Sequence, residues 1–150
     1  MIALPLTQLK DRLKWKTVNG TMHLYDTIRK SYVVLQPEEL VRQMLCIYLI
    51  EDVGYPASRF RLEKGTATND KKGRYDILIY DKAVKPWMLI ECKSHRVPLT
   101  QAVVDQLGGY NHNIGAPYMM VCNGINTMCY TRSDGQYLQV SALPVYDHQP

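Results

Sequence analysis

Tyr75-Asp76-Ile77-Leu78-Ile79-Tyr80, followed by Trp87-Met88-Leu89-Ile90-Glu91-Cys92-Lys93, is the stretch on which the fold turns. Both runs are apolar and β-prone, and the polar segment Asp81 to Pro86 between them reads as a hairpin connection. Two adjacent strands then bring Asp76 beside Glu91 and Lys93. Strand side chains alternate faces, so Glu91 and Lys93 point the same way, roughly 7 Å apart, and Cys92 points the other way. Charged groups that interrupt buried strands are costly unless they pair or bind a metal. Exposed ion pairs on a surface hairpin, worth about 0–1 kcal/mol each, are the bland alternative. The neighbours are too apolar for an exposed ladder, which makes Asp76, Glu91 and Lys93 the candidate site.

Outward from this pair, Asn19-Gly20 lies between the β-prone arms Trp15 to Val18 and Thr21 to Leu24 and predicts an amino-terminal hairpin. Pro37-Glu38-Glu39 opens a helix, with Pro at a first-turn position and acids that complement the helix dipole. It should run to about Asp52, before Gly54. Leu40, Val41, Met44, Leu45 and Tyr48 form its buried stripe, widened by Ile47 and Leu49, while Glu39, Arg42 and Gln43 fall toward its edge. Phe60-Arg61-Leu62-Glu63 comes next, then a loop from Lys64 to Arg74. Thr100 to Asn113 reads as a second helix, with Val103, Leu107, Tyr110 and Ile114 recurring at helical spacing. Tyr118 to Cys122 is a further buried strand, Asn123-Gly124 a turn, and Met128 to Thr131 and Tyr137 to Val140 closing strands. The order predicts an α/β fold, a central mixed β-sheet flanked by helices.

A chain of 150 residues is one domain by the usual prior. Apolar content of 46% and charged content of 21% are ordinary for a soluble globular protein and argue against disorder. The net charge of +4 suits a polyanionic partner without requiring one. Cys46, Cys92, Cys122 and Cys129 form no CxxC pair, and the amino terminus lacks the blocks of a secretory signal, so a cytoplasmic protein with reduced thiols is expected. No apolar run approaches the roughly 20 residues needed to cross a bilayer. Zinc ligation by the cysteines with His23, His95 and His112 fits no compact ligand spacing.

Phosphodiester hydrolysis needs a cation to neutralise charge on the phosphate and to lower the pKa of an attacking water, and carboxylates are the natural ligands of Mg2+. Asp76 and Glu91 supply these oxygens, with a backbone carbonyl, that of Cys92, completing the protein's share. Lys93 on the same face could orient or help deprotonate the water and offset transition-state charge.

The series Asp76, Glu91-Cys92-Lys93 resembles the PD-(D/E)XK nuclease superfamily, the restriction-endonuclease-like fold. The acid-bearing helix before the strands strengthens the likeness, as does Gln106-Leu107-Gly108-Gly109-Tyr110 on the helix after them, which looks like the Gln-x-x-x-Tyr motif of the branch containing RecB-type nucleases. More narrowly, Tyr32 to Gln43, with these motifs and Asn111, is similar to the amino-terminal nuclease domain of type I restriction R subunits, over about residues 25 to 130. Tyr75 stands where the motif has Pro, and the helicase motor of a full restriction subunit lies outside this chain. The resemblance implies a nuclease core over residues 36–123, preceded by the hairpin over 14–25 and followed by closing strands over 127–142. It implies Mg2+-dependent DNA cleavage, with Mn2+ able to substitute, and Asp76, Glu91 and Lys93 as the catalytic core. It further implies that Glu39, in competition with Glu38, reaches the metal through a water, and that Gln106 and Tyr110 position phosphate or active-site groups.

Tyr110 also fits a core stripe with Gln106 at its margin, and Gly108-Gly109 reads equally as a close approach by another backbone or nucleic acid and as a helix break. Lys64, Lys71, Lys72 and Arg74 could hold phosphates flanking the cut, although a solvated loop is the commoner reading of such a run. Expected partners are DNA, a helicase or translocase, restriction-modification subunits and, for double-strand cutting, a second copy of the chain. The alternative is a non-catalytic nucleic-acid-binding or assembly module that keeps the nuclease fold and acts beside a motor.

Overall fold

The computed structural model describes residues 1–62 and 75–150. A short 3-10 turn, Leu6–Arg12, leads into a three-stranded antiparallel sheet of β1 (Trp15–Val18), β2 (Thr21–Asp26) and β3 (Ser31–Val34). Asn19 and Gly20 both take positive φ, 49° and 77°, the geometry a two-residue hairpin turn demands. The predicted hairpin is present, and β3 extends it into a sheet. The turn before β3 carries no Gly; Asp26 builds it instead, its Oδ1 accepting the N–H groups of Ile28 at 2.9 Å and Arg29 at 2.8 Å.

Helix α1 (Pro37–Ile47) continues through a wider turn, Tyr48–Asp52, and the chain reverses at Gly54 with φ 87°. Val41, Met44, Leu45, Ile47 and Leu49 are buried as the spacing predicts. Glu39 and Gln43 depart from the edge position: both are buried, and Gln43 Nε2 donates to Glu39 Oε1 at 2.9 Å. Mutual hydrogen bonding lets polar groups share a face that apolar periodicity alone cannot mark.

The main sheet has six strands in sequence order: β4 (Phe60–Leu62), β5 (Ile77–Tyr80), β6 (Pro86–Cys92), β7 (Tyr118–Cys122), β8 (Thr127–Ser133) and β9 (Gln136–Val140). All neighbours are antiparallel except β6 and β7, which are parallel because α2 (Gln101–Ile114) crosses between them. Alternation on these strands splits the core in two. Ile77, Ile79, Met88, Ile90 and Cys92 pack with α1, whereas Leu78, Leu89, Met119 and Val121 pack with α2. The sheet is therefore covered by one helix on each face.

The buried line of α2 is Val104, Leu107 and Asn111, rotated slightly from the predicted stripe, with Val103, Tyr110 and Ile114 at its margins. Asn111 accepts the Ala116 N–H at 2.9 Å and donates to the Ala116 carbonyl at 2.7 Å and to the Tyr137 hydroxyl at 3.1 Å. That set of bonds is why a polar residue occupies the stripe. The helix runs unbroken through Gly108, where a Cβ would meet the Tyr137 ring at 3.5 Å; the close neighbour is β9.

Candidate active site

Asp76 sits at the mouth of β5, bound to β6 twice. Its N–H donates to the Ile90 carbonyl at 3.0 Å, and its Oδ2 accepts the Cys92 N–H at 2.6 Å. A carboxylate held by a backbone amide of the facing strand cannot drift from Glu91, the residue before that amide. Glu91 Oε1 accepts from Lys93 Nζ at 2.5 Å, and the Lys93 N–H is fixed on the Cys122 carbonyl at 2.8 Å as β6 runs on beside β7. Cys92 faces the α1 core, as the alternation requires.

Asp76 Oδ1 accepts from Arg42 Nη2, and Arg42 Nη1 donates to Glu39 Oε2. Arg29 Nη1 lies 3.8 Å from the same Glu39 oxygen and 3.2 Å from Asp26 Oδ2. Charges of alternating sign thus run from the small sheet through α1 to Asp76. Arg42 is the site residue that reading the sequence placed only at the helix edge. The i, i+3 spacing from Glu39 was the available signal, since residues so spaced meet on one helix face.

Side-chain exposure of 16% for Asp76, 15% for Glu91 and 25% for Lys93 leaves the cluster reachable yet largely out of water. Burial, then the charge of Asp76, push the Glu91 carboxyl up to about 7 against the opposing pull of Lys93 and Arg42. For Lys93 burial acts downward, but Glu91, Asp76 and Glu38 outweigh it and the ammonium is raised. Burial likewise opposes the Arg42 charge, and Asp76 and Glu39 more than compensate. Burial beside a second negative charge thus leaves Glu91 short of positive charge in this cleft.

Among the described residues no group of three or more His, Cys, Asp or Glu side chains is placed to hold a metal. Mg2+ does not need such a group, because it keeps several waters and takes one or two carboxylates beside a phosphate. Asp76 and Glu91 fit that donor set. The four cysteines are free and buried.

The remaining predicted residues fall around this cluster. Glu39 joins it through Arg42, whereas Glu38 acts on Lys93 through charge alone. Gln106 Nε2 donates to the Tyr110 hydroxyl at 3.1 Å; Gln106 is exposed and Tyr110 half-buried at the α2 core margin. Among the described residues neither is hydrogen-bonded to Asp76, Glu91 or Lys93. Lys64, Lys71, Lys72 and Arg74 lie outside the described residues. No helix among those described is long and apolar enough to cross a membrane.

A mixed sheet between helices, with an acid at the mouth of one strand and Glu-x-Lys at the end of the next, is a restriction-endonuclease-like α/β fold. Residues 37–144 match the family model described as Type I restriction enzyme R protein N terminus, and the chain belongs to that family. The match starts at the first residue of α1, so the β1–β3 sheet precedes it. No curated protein matches the chain.

Proposed function

We propose that this protein is a Mg2+-dependent endonuclease that hydrolyses DNA phosphodiester bonds as the nuclease element of a restriction-modification system. The observation that carries the reading is Asp76 pinned on the Cys92 amide next to Glu91 and Lys93, in a chain of the restriction R protein family. Asp76, Glu91 and the Cys92 carbonyl are the groups to hold the metal. When bound, Mg2+ supplies a Lewis acid for the scissile phosphate and a water of lowered pKa.

The protein's own groups do the rest. Glu91 would hold the cation as a carboxylate, and it keeps Lys93 Nζ aimed at the same side of β6. Lys93 then donates to the phosphate or to the attacking water and offsets charge that grows in the transition state. Arg42 fixes the Asp76 carboxylate and links it to Glu39, so Glu39 acts on the site through Arg42 or through a water. Gln106 and Tyr110, one turn apart on α2, contact the DNA phosphates or active-site groups. Lys71, Lys72 and Arg74 contribute further phosphate contacts. A translocase or other restriction-modification subunit is the natural partner, and double-strand cutting calls for two copies of the site.

Nicking of supercoiled plasmid with Mg2+ or Mn2+ tests the proposal. Wild type should cut, and Asp76→Ala and Lys93→Ala should not. Equal cutting by all three, or none by any, would remove the enzymatic reading. In the second case, absence of Mn2+ binding in calorimetry would leave the non-catalytic binding module in its place.

A further inference from the structure

The β1–β3 sheet has two unlike faces. Cross-strand register puts Trp15, Leu24 and Val33 on one, where Leu24 is fully buried, and Lys16, His23 and Val34 on the other, with Tyr25 opposite Tyr32. No side chain of that second face belongs to either hydrophobic core. Lys16, Tyr32 and Val34 are exposed, and His23 and Tyr25 half-buried.

The aromatic and basic groups of this outer face are already organised. The Tyr25 and Tyr32 rings meet edge to face at 5.2 Å. Lys16 Nζ stands 4.2 Å from the Tyr32 centroid, and Lys14 Nζ 5.6 Å from that of Tyr25. Among the described residues no carboxylate pairs with Lys14 or Lys16, so both charges are available to an anion. Residues 10–34 hold six Lys and Arg against two Asp, a surplus of +4 in a chain whose total is +4. Carboxylates outside the segment meet part of that surplus, Glu51 and Asp52 at Arg12 and Glu39 at Arg29, which leaves the lysines of the sheet to carry the rest.

From this combination we infer that the outer face of the sheet, formed by Lys14, Lys16, His23, Tyr25 and Tyr32, is a second nucleic-acid site that binds a single DNA strand. Lysines follow the phosphates while the Tyr rings, freed as each lysine turns to a phosphate, stack on bases; such platforms bind single strands with little regard to sequence. The same lysines disfavour a second copy, because two such faces would bring like charges together. The turn end of the sheet adjoins the candidate active site, since Arg29 lies 3.8 Å from Glu39, which shares Arg42 with Asp76. A strand held on the sheet is thus tethered close to the site of cutting. The inference deepens the nuclease reading by assigning a surface outside residues 37–144 to the substrate, and it is tested without any cleavage.

The test is fluorescence anisotropy of a labelled oligothymidine of about 20 nucleotides, with EDTA present and over a range of salt. Wild type should bind it more tightly than a duplex of the same length. Lys14→Glu/Lys16→Glu should weaken binding at least about tenfold and lower the salt slope by about one per lysine. Tyr32→Leu, which keeps the apolar bulk and the fold but not the π-face, should weaken binding about tenfold at unchanged salt slope. Lys85→Glu, at an exposed lysine of the β5–β6 turn, should bind as wild type does, and because no cleavage is read a failed nuclease and a failed platform give different results. Unaltered affinity in the lysine and Tyr32 variants with unchanged melting temperatures, equal affinity for duplex, or binding only to an acidic protein would overturn the inference.

Discussion

The two β-hairpins of this protein handle charge in opposite ways. In β1–β2 the lysines alternate outward, lie over tyrosine rings and meet water, so their positions cost little. In β5–β6 Asp76, Glu91 and Lys93 lie at the end of strands that are otherwise buried, and each depends on a named partner: the Cys92 amide, Arg42 or its neighbour in the triad. A solvated charge is tolerated wherever it falls, whereas a desolvated one persists only inside a network. The second hairpin is therefore where sequence changes should cost stability and cleavage, whereas changes in the first should be absorbed by the fold and act on DNA binding alone.

The largest expected contrast is catalytic. Lys93→Ala should reduce plasmid cleavage by about 10²–10⁴-fold, the span for loss of a positioned proton-transfer group, with little change in melting temperature. Lys16→Ala at saturating DNA should leave the cleavage rate near wild type. Equal losses in both would erase the distinction between the hairpins.

Packing gives the next contrast. Ile90 is fully buried in the main sheet, and Val18 at the end of β1 is 41% exposed. Ile90→Ala should lower unfolding free energy in urea by about 2–5 kcal/mol, and Val18→Ala by no more than about 0.5 kcal/mol.

Arg42 tests the network itself. Arg42→Met leaves Asp76 and Glu39 uncompensated and should destabilise the metal-free protein by roughly 1–3 kcal/mol. The same change makes the cleft more negative and should tighten Mn2+ binding in calorimetry. Weaker binding with unchanged stability would show Arg42 to be no part of the charge balance.

Glu91 yields the finest distinction, a dependence on pH. Its folded value near 7 lies above the ordinary 4.5, so the folded protein retains a proton that the unfolded chain releases between those values. Stability should fall as pH rises from about 4.5 to 7 and then level off, by linkage. Glu91→Gln carries no such proton and should be more stable than wild type at pH 8, by roughly 1–3 kcal/mol, with the gap closing toward pH 4. A cation on Glu91 would displace the same proton, so Mn2+ affinity should climb through pH 7 in wild type. A flat profile would contradict the assigned burial of Glu91.

Much of this was legible in the residues. Asn19-Gly20 marked the first hairpin, Pro37-Glu38-Glu39 the start of α1, and the apolar runs around Asp76 and Glu91 the central strands, because local turn chemistry and side-chain alternation survive folding unchanged. Strand β3 was not read as paired, since its turn is made by the Asp26 side chain instead of a glycine signal. Gln43 looked peripheral because its burial depends on a neighbouring polar group, and Asn111 was absent from the predicted stripe because one of its partners, Tyr137, is distant in sequence. Arg42 was invisible as a site residue for the same reason: its bond to Asp76 spans 34 positions and exists only once α1 lies across the sheet.

The central claim is that Asp76 and Glu91 form the binding site of one divalent cation. Anomalous diffraction from a crystal soaked in Mn2+ tests it most directly. A peak in contact with both carboxylates, with Arg42 displaced from Asp76 Oδ1, is the predicted result. An empty cleft with Arg42 still bound to Asp76, in a crystal whose Mn2+ concentration saturates other sites, would contradict it.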